Sequence, residues 1–169
     1  MARDRWATFD CYGTLIDWNG GIRAQLGRVF GEDRADELLR RYHELEPELQ
    51  ADGTLSYREV LTEALRRLGV PDGEETALAD SLPDWQPFPE VPQALEEARD
   101  RGWRLAILSN TYRDYIEASM RRLGGGFELA IVASEIGSYK PAPGHWRAFE
   151  ERVGRLPDVH VAASLFHDI

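Results

Sequence analysis

Asp10, Ser109 with Asn110, Lys140 and Asp168 each stand where an apolar run gives way to polar residues, or in the loop just after one. A carboxylate, a hydroxyl, an ammonium and a second carboxylate brought to one crevice suit an aspartate nucleophile. Such a carboxylate attacks an electrophilic carbon or phosphorus and forms a covalent ester. A lysine beside it favours the ionised form and balances charge that builds up on the nucleophile or the substrate. Thr14, Ser109 and Asn110 carry the hydroxyl and amide groups that can position carboxylate and substrate. Each residue alone has a plainer reading. An aspartate after a strand is usually a turn or helix cap, and a lysine before proline is usually solvated surface. Their ordered recurrence at strand ends is what favours chemistry.

The elements that must position them follow from the apolar rhythm. Residues 6–9, 104–108, 129–133 and 159–163 read as short, nearly continuous apolar strands. Helical patterns lie between them: one closed by Gly102 just before the second strand, one followed by the Gly124-Gly125-Gly126 loop, and one after a loop that begins at Lys140-Pro141. Apolar strands alternating with helices imply a parallel sheet covered on both faces. Ligands in such sheets sit outside the carboxyl ends of the strands, where the polar residues above fall. From about residue 19 to 84 the pattern is helical throughout. Ile22, Leu26, Val29 and Phe30 share a face, as do Leu38, Tyr42, Leu45 and Leu49, and Ser56-x-x-Glu59 is a capping box before a third helix. That block is too long for a simple crossover. The expected fold is therefore α/β: a Rossmann-like parallel sheet core of residues 1–17 and 86–169, with an inserted helical cap over 18–85. Pro83, Pro87, Pro89 and Pro92 predict a stiff, extended linker between them.

The chain of 169 residues carries 20 Lys and Arg against 30 Asp and Glu, a net charge of −10. Such a surface repels phosphate backbones, so nucleic acid is not an expected partner, whereas a small anionic substrate is compatible with a few local cations. One cysteine excludes a disulfide framework. With no long apolar run and no signal-like leader, the expected location is cytoplasmic, with no membrane partner. His43, His145, His160 and His167 lack the spacing of a zinc protease or a triad, and are expected on the surface or in packing. Cys11, beside Asp10, reads as a small buried thiol.

In order along the chain, Phe9-Asp10-x-Tyr12-Gly13-Thr14-Leu15, Leu108-Ser109-Asn110, Tyr139-Lys140-Pro141 and Ser164-x-x-x-Asp168 resemble the haloacid dehalogenase superfamily. The resemblance covers nearly the whole chain. It implies that Asp10 is the nucleophile, Ser109 the second-motif hydroxyl and Lys140 the third-motif lysine. Most members are magnesium phosphatases, with a second aspartate two positions after the nucleophile to protonate the leaving oxygen. They also place an acidic magnesium ligand four residues before the position of Asp168. Here those positions are Tyr12 and Ser164, which supplies a magnesium site poorly. The Asp-x-Tyr-Gly-Thr-Leu form is instead similar to the L-2-haloacid dehalogenase branch. There an aspartate displaces halide from C2 of a 2-haloacid, and water hydrolyses the ester without metal or other cofactor. That branch's cap arginine maps to Arg41, with Arg40 as the fallback, to receive the halide or hold the substrate carboxylate. Both also fit solvent-facing positions beside Glu44 and Glu46.

Tyr12, with Trp18 and Trp85, is expected to line an apolar pocket between cap and core or simply to pack, and Asn110 to meet the substrate. Asp168 would orient Lys140, activate water, or cap a helix. Two positions depart from the branch: Trp146 stands in place of a supporting tyrosine, and Leu165 in place of an asparagine. The sequence stops at Ile169, so the C-terminal part of the fold is expected to be absent. The resemblance also implies a homodimer. The expected activity is hydrolytic dehalogenation of a short 2-haloacid. The alternatives are a magnesium-dependent phosphatase and a catalytically degenerate binding protein.

Overall fold

A computed structural model describes residues 4–51, 53–163 and 168. Tertiary contacts divide the chain into two units, Trp18–Trp85 and Met1–Asp17 with Gln86–Ile169. The first is all helical: α1 (Trp18–Phe30), α2 (Ala35–Gln50), α3 (Tyr57–Leu68) and α4 (Ala77–Ser81). Helix α2 packs against α1 and α3, and α4 against the same two. Their apolar stripes meet inside, with Ile22, Leu26, Leu38, Tyr42, Leu61 and Leu65 fully buried. The capping box at α3 is formed. Ser56 Oγ accepts from the Glu59 amide at 3.2 Å, and the Glu59 carboxylate accepts from the Ser56 amide at 2.8 Å. Gly21 allows a close approach within this unit, because a Cβ there would lie 2.4 Å from Trp85 Cγ.

The second unit is built on four parallel strands in the order β3-β2-β1-β4. These are β1 (Arg5–Phe9), β2 (Trp103–Ser109), β3 (Leu129–Val132) and β4 (Val159–Val161). Phe9 is in register with Ile107 on one side and Val161 on the other, so β1, β2 and β4 end side by side. The helices are α5 (Val91–Asp100), α6 (Arg113–Arg122), α7 (Ala133–Ile136) and α8 (Gly144–Val153). Successive strand residues point to opposite faces, and both faces of β1 and β2 are buried. On one face Trp6, Ala106, Leu108 and Ile131 cluster with Phe149 of α8, and the Trp6 and Phe149 rings meet edge-on at 5.4 Å. On the other, Ala7, Phe9, Leu105 and Ile107 are buried, and Phe9 meets Phe127 at 6.4 Å. This is the α/β sheet that near-continuous apolar strands predict.

Two local expectations are corrected. The proline-rich stretch is not an extended linker throughout. Pro83 lies in a 3-10 turn at Leu82–Asp84, and Pro92 sits in the first turn of α5. A first-turn amide has no helical partner to lose, so proline starts a helix as readily as it stiffens a linker. Ala133 begins α7 rather than ending β3. Among the described residues, no helix is long and apolar enough to cross a membrane.

Candidate active site

The strand order reverses direction at β1, with β2 and β3 to one side and β4 to the other. In open α/β sheets, ligands bind beyond the carboxyl ends of the strands at such a switch. Asp10 follows β1 directly, and its amide bonds the Val161 carbonyl at the end of β4 at 3.0 Å. The next residues turn tightly: Gly13 takes a positive φ of 85°, and its amide bonds the Ile16 carbonyl at 2.9 Å. The turn brings Thr14 back over Asp10. Thr14 Oγ1 donates to Asp10 Oδ2 at 3.1 Å and accepts from the Ala163 amide at 3.0 Å.

The other Asp10 oxygen, Oδ1, accepts from Lys140 Nζ at 2.9 Å. Lys140 also donates to Asp168 Oδ1. The Lys140 and Asp168 side chains are each 1% exposed, against 14% for Asp10. The solvated-surface reading of Lys140 is absent from this geometry. Two carboxylates and one ammonium form a buried ion chain, in which Asp10 alone keeps access to solvent. Burial pushes the Asp168 carboxyl up, but hydrogen bonds from His160 and Lys140, with their charges, outweigh it and hold it below the usual range.

Asn110 grips the main chain of Lys140 from both ends of its amide. Nδ2 donates to the Lys140 carbonyl at 2.9 Å, and Oδ1 accepts from the Lys140 amide at 2.6 Å. This clasp holds the Lys140 main chain beside the end of β2. Ser109, the last residue of β2, is 2% exposed, and its carbonyl accepts from His145 Nε2 at 3.0 Å. Tyr12 is directed to α6, where its hydroxyl lies 3.0 Å from Ser119 Oγ. Cys11 is fully buried there, and burial first, then the Asp10 charge, push its thiol well up, so it is inert as a nucleophile. Arg41 and Arg40 are exposed residues of α2 in the helical unit. Ser164, Leu165 and His167 lie outside the described residues.

Sequence reasoning missed His160. Expected as a surface or packing residue, it occupies the middle of β4, in register with Thr8. Its Nδ1 is 2.9 Å from Thr8 Oγ1, and its Nε2 is 3.1 Å from Asp168 Oδ1. Trp146, the departure from the dehalogenase branch, stands edge-on to it with ring centroids 5.6 Å apart. The available signal was pairing: a polar residue inside the apolar β4, level with Thr8 inside the apolar β1.

These residues match a magnesium ion poorly. The Lys140 ammonium already lies between the two carboxylates, and the residue two positions after Asp10 is a tyrosine bound to Ser119. Among the described residues, no three of His, Cys, Asp and Glu are grouped so as to hold a metal.

Comparison with known proteins matches the family model of haloacid dehalogenase-like hydrolases over residues 5–163. Haloacetate dehalogenase H-2 of Moraxella sp. (strain B) is 31% identical over 157 residues, spanning 86% of this chain and 70% of that protein. (S)-2-haloacid dehalogenase 4A of Burkholderia cepacia is 27% identical over 165 residues, spanning 91% of this chain and 71% of its own length. A solved dehalogenase structure with an intermediate complex has the same fold, with a TM-score of 0.82 at 23% identity over 98% of this chain and 80% of that one.

Proposed function

The chain belongs to the family of haloacid dehalogenase-like hydrolases, and from that premise we propose that it hydrolyses the carbon–halogen bond of a short 2-haloacid through an ester on Asp10. The first step forms a bond from an Asp10 carboxylate oxygen to C2, while the halogen leaves with its electron pair. A halide leaves without a proton, so the position of Tyr12 needs no acid. Water then adds to the carboxyl carbon of the Asp10 ester, and the 2-hydroxyacid departs. The balance is haloacid and water in, hydroxyacid, halide and one proton out.

One observation carries this reading: each oxygen of Asp10 has its own donor, Lys140 Nζ at 2.9 Å and Thr14 Oγ1 at 3.1 Å. The carboxylate is thus aimed and charge-balanced before substrate arrives, which lowers the reorganisation its attack requires. Asn110 acts by placing Lys140, and Asp168 by orienting it or by activating water. Ser109 positions the substrate at the end of β2. Tyr12 lines the site from the Asp10 turn, and Arg41 is assigned, by the family resemblance, to the halide or the substrate carboxylate.

The test is halide release from 2-chloropropionate in the presence of EDTA. Release is expected with the wild-type chain and its loss with Asp10→Asn. Mass spectrometry should find the carboxyalkyl ester of the substrate on the peptide that holds Asp10. Release that persists in Asp10→Asn, or magnesium-dependent hydrolysis of an aryl phosphate with no halide release, would overturn the proposal.

A further inference from the structure

We propose that His160 is a positioning residue for this site: through Asp168 it fixes the Lys140 ammonium against the Asp10 carboxylate. The proposal deepens the dehalogenase reading and rests on Asp10 being the nucleophile.

The argument begins with competition. Lys140 donates to two carboxylates, and its placement against Asp10 depends on how strongly Asp168 draws it away. His160 Nε2 shares the oxygen that Lys140 uses, Asp168 Oδ1. An ionised carboxylate only accepts, so Nε2 carries a hydrogen in every state of the ring. That hydrogen takes up part of the Asp168 charge and locks the carboxylate plane. Without it, Lys140 would be the sole described partner of Asp168, because Oδ2 is buried with none among the described residues. Asp168 would then turn, and the ammonium would follow it.

The imidazole is itself held from three sides. Thr8 Oγ1 faces Nδ1 at 2.9 Å, Asp168 faces Nε2, and the Trp146 ring packs edge-on at 5.6 Å. The geometry serves both protonation states without moving a heavy atom. In the neutral ring, Nδ1 accepts from the Thr8 hydroxyl. In the imidazolium, Nδ1 donates to Thr8, whose hydroxyl turns to the Val159 carbonyl at 3.4 Å. Asp10, Asp168 and Lys140 sum to one negative charge, which a protonated His160 cancels. Among the described residues, the charged and titratable groups facing this arrangement are those three, His145 on α8 and Cys11 beside Asp10. Packing alone needs no such match at both ring nitrogens.

Two measurements on the full chain test this. In the first, kcat and KM for 2-chloropropionate are compared for wild type, His160→Phe, which keeps a ring against Trp146, and His160→Gln, which keeps a donor toward Asp168. Phenylalanine should lower kcat about 10- to 100-fold with KM changed less than about 3-fold, and glutamine should recover most of the loss. Wild-type kcat in His160→Phe, or equal impairment in both variants, overturns the proposal. Thr8→Val, nearly isosteric, should give a smaller loss of the same kind and serves if the His160 variants fail to fold.

The second measurement needs no turnover. In isotope-labelled protein, the His160 Nε2–H should give a proton resonance protected from exchange, and Asp168→Asn should shift or abolish it. A resonance that Asp168→Asn leaves unchanged overturns the proposal even if the enzyme is active. If the wild-type chain releases no halide while that resonance responds to Asp168→Asn, the substrate reading fails and the His160 network stands.

Discussion

A lysine whose side chain is 1% exposed survives only where its charge is met, and Lys140 is met twice, by Asp10 and Asp168. Removing it leaves two carboxylates facing one another out of water. Lys140→Met should therefore cost about 3–5 kcal/mol in urea denaturation at pH 7, and most of that should return as the pH falls and the carboxylates take up protons. Asp168 gives a second handle. Its carboxyl is held below the usual range, so the stability it contributes is complete above the ordinary carboxylate pKa of about 3.9 and is lost only as the pH falls through its lower folded value. His145 works over a different window. Burial first lowers it, to about 4, despite the bond to the Ser109 carbonyl, so it stays neutral in the folded chain while an unfolded histidine protonates below about 6.5. Stability should accordingly fall by about 3 kcal/mol between pH 7 and pH 4 from this residue. His145→Gln should flatten that limb of the denaturation profile.

At the scale of the element, α2 holds a group of opposite slope. Glu46 is partly buried and accepts from the Tyr42 hydroxyl at 3.2 Å. Burial raises its carboxyl to about 7, more than the Tyr42 hydrogen bond lowers it. The folded helix thus keeps a proton that the unfolded chain gives up near pH 4.5, and stability falls as the pH rises from there to about 7. Glu46→Gln should stabilise the helical unit by about 1–3 kcal/mol at pH 8 and leave it unchanged at pH 4. Hydrogen exchange on α2 and α3 would read this directly. The elements themselves were largely legible. The runs ending at Phe9 and at Ser109 announced buried parallel strands, and Ser56 with Glu59 announced the start of α3. Pro92 misled because proline has the same signature in a linker and in a first helical turn. His160 was invisible for a related reason. One polar residue in a three-residue strand has no periodicity to reveal it, and its meaning depends on register with Thr8, which comes from pairing rather than from local sequence. The Asn110 clasp was not legible, since a contact with the main chain of a residue thirty positions away leaves no pattern.

The molecule as a whole carries a net charge of −10. Under the proposed function a haloacid anion would approach against that field, which salt screens over a Debye length of about 8 Å at physiological ionic strength. If the global field dominates the approach, kcat/KM for 2-chloropropionate should rise by up to about 3-fold from 10 to 150 mM salt. Replacing exposed acids far from the crevice should reproduce the gain at low salt. A fall in kcat/KM with salt would instead assign the approach to local cations.

The lysine lies 130 residues beyond the aspartate it touches, and the second carboxylate a further 28. On a ribosome, the first carboxylate of the ion chain is therefore made long before its partners, and the central strand waits for neighbours on both sides. A nascent chain that has emerged only through β3 would carry a wet, unpaired carboxylate at its first strand's end. The ion chain would then close in one late event, once Lys140 and Asp168 had followed the last strand into place.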